Sequence, residues 1–172
     1  MNNLTNTPME AQTTCGKDSA HHQSGVAGCY AAHVIEVMNP MLNSRTITCS
    51  INRPPSEVYT FASNPENLPQ WVRSFCLSVK KSGDEWQMET PTGWVGFCFV
   101  PANEFGVLDH VVTLPDGQSI LNPMRVVANG DGCEIMFTLF QLPEMDDQKF
   151  VEDAGMVEAD LKTLKSVLES KH

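Results

Sequence analysis

No apolar run in this 172-residue chain approaches the length of about 18 residues that a membrane-spanning helix needs. Basic residues are scarce, with 11 Lys+Arg against 21 Asp+Glu and a formal charge of −10. That balance excludes a nucleic-acid backbone as the expected partner, because phosphate recognition needs a basic patch. It equally disfavours docking on anionic membranes. The N-terminus has no basic segment followed by an apolar core, so it does not read as a secretory signal. Six cysteines are present, but no pair has CxxC spacing, and Cys49, Cys98 and Cys133 sit inside apolar runs. Such cysteines act as small buried hydrophobes, which suits a reducing, cytoplasmic setting better than a disulfide framework.

Familiar catalytic signatures are missing too. There is no GxSxG, HExxH, Walker or dinucleotide-binding glycine pattern. Cys15, His21, His22, Cys29 and His33 invite a zinc reading, but only Cys29 and His33 approach the close pairing of structural zinc ligands. A ligand-free polar tail accounts for them, so neither a metal nor a cofactor is expected. The carboxylate pairs Asp146–Asp147 and Glu152–Asp153 fit a solvated helix face.

What is present divides at about residue 43. Residues 1–43 are polar and carry no sustained helical or strand period, so they read as a disordered or loosely docked extension. Within them VAGCYAAHVIEVMNPM is more apolar and suits a short docked element. A translation start at Met38 or Met41 would remove almost the whole extension. From residue 44 to 172 the periodicities are clear. RTITCSIN alternates as a strand, and RPPSEVYTFAS opens a helix on its prolines. NPENLPQW follows: Asn64 suits a cap, Pro65 a first helical turn, and Pro69 disfavours helical backbone at Leu68. Six strand-like runs come next, SFCLSVKK, EWQMET, WVGFCFVP, VLDHVVTL, SILNPMRVV and CEIMFTLFQL, separated by turn signals such as PDG and NGDG. The period then lengthens: Phe150, Ala154, Val157, Leu161, Leu164 and Leu168 form one apolar stripe on a helix of about 24 residues capped by Asp146.

The order strand, two short helices, six strands, long helix describes an α+β domain. Its motifs PSEVYTFASNPENLPQW, GVLDH, LPDGQ and NPMRVVANGDG resemble the SRPBCC superfamily, also called START-like or helix-grip, and in particular its bacterial polyketide cyclase/dehydratase-like branch. The resemblance covers residues 45–169. It implies a helix-grip fold, in which a curved seven-stranded antiparallel sheet wraps around a long C-terminal helix. It also implies an apolar cavity between the two. It does not imply one reaction, since a fold hosts many functions. Where the branch carries a Ser-x-x-Glu capping box before its last helix, this chain has Asp146 and Lys149, so the reciprocal glutamate bond is lost.

Strand parity names the residues that face such a cavity. Trp86, Met88 and Thr90 form the apolar set of their strand; Val95, Phe97 and Phe99 that of the next. Leu108, His110, Val112 and Leu114 share a face that Asp109 leaves. Asn122, Met124 and Val126 oppose Arg125, and Ile135, Phe137 and Leu139 are assigned inward. Trp71 plugs one end of the sheet or borders the cavity mouth. The candidate ligand-binding set is therefore Trp71, Trp86, Met88, Phe97, His110, Asn122, Met124 and Phe137, although core packing alone accounts for most of them. His110 is the titratable member, able to serve as acid or base near neutral pH or to orient a ligand. The plainer alternative is a core histidine paired with Asn122 or a backbone carbonyl.

Three readings stay open at this point. The first is a carrier or sensor of a small hydrophobic or amphipathic molecule, monomeric or homodimeric. The second is a cyclase- or dehydratase-like enzyme using His110. The third is an interaction protein whose cavity is incidental.

Overall fold

The computed structural model describes residues 41–83 and 85–170. Residues 1–40 of the polar extension, with its zinc candidates and the alternative start at Met38, lie outside them.

The elements run β1 (Ser44–Ile51), α1 (Pro55–Ala62), a 3-10 turn (Pro65–Asn67), α2 (Leu68–Trp71), β2 (Ser78–Ser82), β3 (Glu85–Thr90), β4 (Gly93–Phe99), β5 (His110–Thr113), β6 (Ser119–Asn122), β7 (Met124–Asn129), β8 (Gly132–Phe140) and α3 (Asp147–Glu169). The architecture is α+β, with antiparallel strands and a long C-terminal helix. One expectation needs correcting. There is not one seven-stranded sheet but two sheets, of order β1-β8-β7 and β2-β3-β4-β5-β6. The run SILNPMRVV is split at Pro123, which has no N–H to give to a ladder. Asn122 pairs with His110 in one sheet, whereas Met124 pairs with Phe137 in the other. The break is bridged by backbone bonds: Thr138 N–H donates to the Pro123 carbonyl at 2.9 Å and Leu108 N–H to the Met124 carbonyl at 2.9 Å.

Two strands begin later than their apolar runs. Before β2, Cys76 N–H donates to the Val72 carbonyl at 2.8 Å, so this backbone is spent on a turn. Before β5, the Asn103 side chain accepts from the N–H groups of Phe105 and Val107, both at 3.1 Å, and holds a loop. Gly106 closes that loop with φ +70, and its carbonyl accepts from Val126 N–H at 2.8 Å. A Cβ at Gly106 would stand 2.1 Å from the Val126 carbonyl oxygen, so no other residue fits this approach.

NPENLPQW behaves differently from its proline rule. Asn64 does cap, accepting from Glu66 N–H at 3.0 Å. Leu68, however, is helical at φ −51 and ψ −45, and the 3-10 turn passes directly into α2. Pro69 falls in the first turn of that new helix, where its missing donor costs nothing. Asn67 then ties the segment back by donating to the Phe61 carbonyl at 3.0 Å. The result seats Trp71 in the core at 5% exposure.

Helix α3 is capped as its sequence implies, Asp146 accepting from Lys149 N–H at 2.7 Å. Phe150, Ala154, Leu161, Leu164 and Leu168 are buried along one stripe. The helix packs on β1, β8 and α2. The core it closes includes Ile47, Ile51, Val58, Leu68, Leu108, Met124 and Ile135.

Candidate functional site

Between the two sheets, α2 and α3 lies a cavity of about 970 Å³. Its size falls at the upper end of the usual range for small-molecule sites, roughly 300–1,000 Å³. The alternation of β5 puts His110 and Val112 on its wall, Leu114 follows just past the strand's end, and β8 adds Phe137 and Leu139. Met88 and Phe97 come from β3 and β4, Leu68 and Trp71 from α2, and Val157 and Leu161 from α3. Met41, Phe75, Leu121 and Met156 line the same space yet are solvent-exposed, which marks them as its mouth. Lys149 and Asp153, also on the lining, neutralise each other at 2.6 Å.

Of the eight ligand-binding candidates, Trp71, Met88, Phe97, His110, Asn122 and Phe137 line the cavity. Trp86 and Met124 do not. Both follow the expected face, but Met124 is only 1% exposed and packed shut within the core, while Trp86 packs against the core. Parity assigns a face; it does not say whether packing leaves that face open. Thr90 and Tyr59, polar groups that could have joined the site, are used elsewhere. Thr90 Oγ1 donates to the Gly93 carbonyl at 2.8 Å, and Tyr59 Oη accepts from Asn103 N–H at 2.9 Å.

His110 is the central polar group. Its ring sits among Phe97, Phe99 and Phe137, with centroids 5.1, 5.4 and 5.9 Å away. Its Nδ1 lies 3.1 Å from the Leu108 carbonyl oxygen. A carbonyl can only accept, so Nδ1 carries the proton. Burial pushes the imidazole from its ordinary 6.5 down to about 4, against the opposing effect of that hydrogen bond. The ring is therefore neutral at physiological pH, with Nε2 as a bare acceptor. Nε2 has no hydrogen-bond partner among the described residues, and the residue lines the cavity. No side-chain hydrogen bond joins Asn122 to His110 among the described residues, but the two are register partners across β5 and β6, so both side chains rise from one face. Among the described residues the one bond of the Asn122 amide is long, 3.5 Å, to the Ile120 carbonyl.

Trp71 lines the cavity, while its Nε1 is buried and has no hydrogen-bond partner among the described residues. An unpaired buried donor costs about 1–3 kcal/mol.

Asp160 was not foreseen. It lies on the apolar stripe of α3, 7% exposed, and lines the cavity. Its carboxylate accepts from Ser74 N–H at 3.0 Å and from the Ser74 hydroxyl, fastening the loop after α2 to α3. Burial raises its carboxyl pKa, with the Ser74 bonds opposing. The available signal was a charge three residues beyond Val157, in line with the stripe. Among the described residues no group of three His, Cys, Asp or Glu side chains is placed to hold a metal ion, and no helix is long and apolar enough to cross a membrane.

At the level of sequence, no family model and no curated protein matches the chain. Solved structures do match. XoxI from Bacillus cereus superposes with a TM-score of 0.60 at 16% identity, covering 76% of this chain and 99% of its own. Ara h 8.0201 gives 0.60 at 10% identity, covering 76% and 100%. DynU16, a protein of the dynemicin biosynthetic locus, gives 0.59 at 13%, covering 74% of this chain and 47% of DynU16. At such identities these likenesses show the fold alone, and that fold agrees with the helix-grip arrangement expected from the sequence.

Proposed function

We propose that the protein binds a small hydrophobic or amphipathic molecule in the cavity between its sheets and α3, as a carrier or sensor. The observation that supports this most is the cavity of about 970 Å³, walled mainly by apolar side chains and opening through exposed Met41, Phe75, Leu121 and Met156. A close-packed interior rarely keeps space of this size without use. The apolar body of the ligand rests on Met88, Phe97, Val112 and Phe137, and the polar spot at His110 and Asn122 orients it. Native mass spectrometry of protein purified from its natural host tests the reading. A co-purifying organic molecule released on denaturation supports it, and a clean ligand-free mass opposes it.

The second reading, a polyketide cyclase/dehydratase-like enzyme, rests on His110, which lines the cavity with no hydrogen bond to its Nε2 among the described residues. Because that ring is neutral and its Nδ1 proton is committed, His110 would serve as a base and not as an acid. DynU16, from a biosynthetic locus, has the same fold and keeps this reading in view.

A further inference from the structure

We propose that His110 and Asn122 form a subsite for a hydroxyl group, so that the ligand is a neutral, largely apolar molecule bearing a phenol, enol or alcohol. The inference rests on the binding reading above and adds the chemistry of the ligand's polar end.

The argument is one of matching donors and acceptors. His110 offers a lone pair and no proton, because Nδ1–H is spent on the Leu108 carbonyl and Nε2 is left bare. Asn122, its direct cross-strand neighbour, offers an amide with two donors and one acceptor, lightly engaged by a single 3.5 Å bond. A hydroxyl satisfies both partners at once: its proton goes to Nε2 and its oxygen accepts from the Asn122 amide. A ketone or ether oxygen satisfies only Asn122 and leaves Nε2 unpaired in a desolvated wall of aromatic rings. A carboxylate sets its own lone pairs against that of Nε2. It would also share the cavity with the buried Asp160, while Lys149 at the lining is paired with Asp153. The site thus discriminates by the penalty of unpaired groups, which is how polar subsites reject isosteres.

The test uses three probes of one shape: 2-naphthol, 2-methoxynaphthalene and 2-naphthoate, titrated calorimetrically into the full chain. Wild type is expected to bind 2-naphthol about tenfold more tightly than the methyl ether, as one or two net hydrogen bonds allow. The naphthoate is expected to bind more weakly still. In His110→Phe, which keeps an aromatic ring among Phe97, Phe99 and Phe137, the gap between naphthol and ether closes to within about twofold. Asn122→Ala narrows it partway. Long-range proton–nitrogen NMR of the wild type gives a readout free of mutation, expected to show the Nδ1–H tautomer and a change at Nε2 on adding 2-naphthol. Equal binding of naphthol and ether by wild type overturns the hydroxyl subsite while leaving the binding cavity standing. A gap unchanged in His110→Phe does the same. Failure of all three probes to bind overturns the binding reading and this inference with it.

Discussion

The carboxylate of Asp109 and the guanidinium of Arg125 form an ion pair that joins the two sheets, since Asp109 immediately precedes β5 and Arg125 lies on β7. Asp109 is 4% exposed and also accepts from Met124 N–H at 2.8 Å, while Arg125 donates to the Met124 carbonyl at 2.8 Å. The pair thus repairs the backbone beside the Pro123 break. Asp109→Ala strands a buried N–H and a half-exposed cation, and should cost about 2–4 kcal/mol. Asp109→Asn keeps an acceptor for Met124 and should cost less. Urea denaturation of the three proteins checks the order; equal midpoints would show that the pair does not join the sheets.

Glycine positions separate strain from clash. Gly83 and Gly106 both have left-handed backbone, at φ +64 and +70. Nothing lies within 4 Å of a Cβ at Gly83, whereas at Gly106 the Val126 carbonyl oxygen lies at 2.1 Å. Gly83→Ala should therefore cost about 1–2 kcal/mol, the conformational penalty alone. Gly106→Ala should lose several times that or fail to fold, as thermal unfolding of the two variants will show.

Histidine 110 makes stability depend on pH in a defined sense. Its folded value of about 4 lies below the ordinary 6.5, so in acid the unfolded chain takes up a proton that the folded chain refuses. The stabilisation is complete above about pH 6.5 and is lost as pH falls toward 4, by about 3 kcal/mol in all. Asp160, whose carboxyl pKa is raised by burial, acts in the opposite direction, its protonation favouring the folded state. Comparing wild type with His110→Phe isolates the histidine: the acid-side slope of the wild type should be the steeper, and parallel profiles would remove His110 as its source.

Cys76 is a further check on burial. Its thiol is 4% exposed and is pushed up to about 11, chiefly by burial and then by the neighbouring Asp160 charge. Because the thiolate is the reactive form, Cys76 should resist thiol reagents at pH 8 until the protein unfolds. Peptide mapping after brief labelling should find it unmodified, and rapid labelling in the native state would mean that the segment between α2 and β2 opens readily.

The parts of the fold with long periods were legible in the chain. The stripe from Phe150 to Leu168 and the alternation of His110, Val112 and Leu114 need only count residues, because burial of one face dictates both. What escaped depends on partners distant in sequence. Pro123 splits two sheets only because β8 and β5 bind its two sides. Leu68 is helical against its proline rule because a second helix starts there. Asp160 looks like a surface acid until Ser74, 86 positions away, supplies its hydrogen bonds. In the same way, Trp86 and Met124 had the right face, but packing closed it. His110 and Asn122 could be placed on one face from the sequence, yet the tautomer that gives the site its chemistry is set by the Leu108 carbonyl, which only the folded backbone reveals.

The most direct measurement is an NMR titration of the full chain with 2-naphthol that reads intermolecular contacts by nuclear Overhauser effects. The account predicts saturable one-to-one binding, with contacts from the naphthol ring to the Met88 methyl, the Phe137 ring and the His110 ring. Saturable binding that leaves those three side chains untouched, or no binding at all, would contradict it.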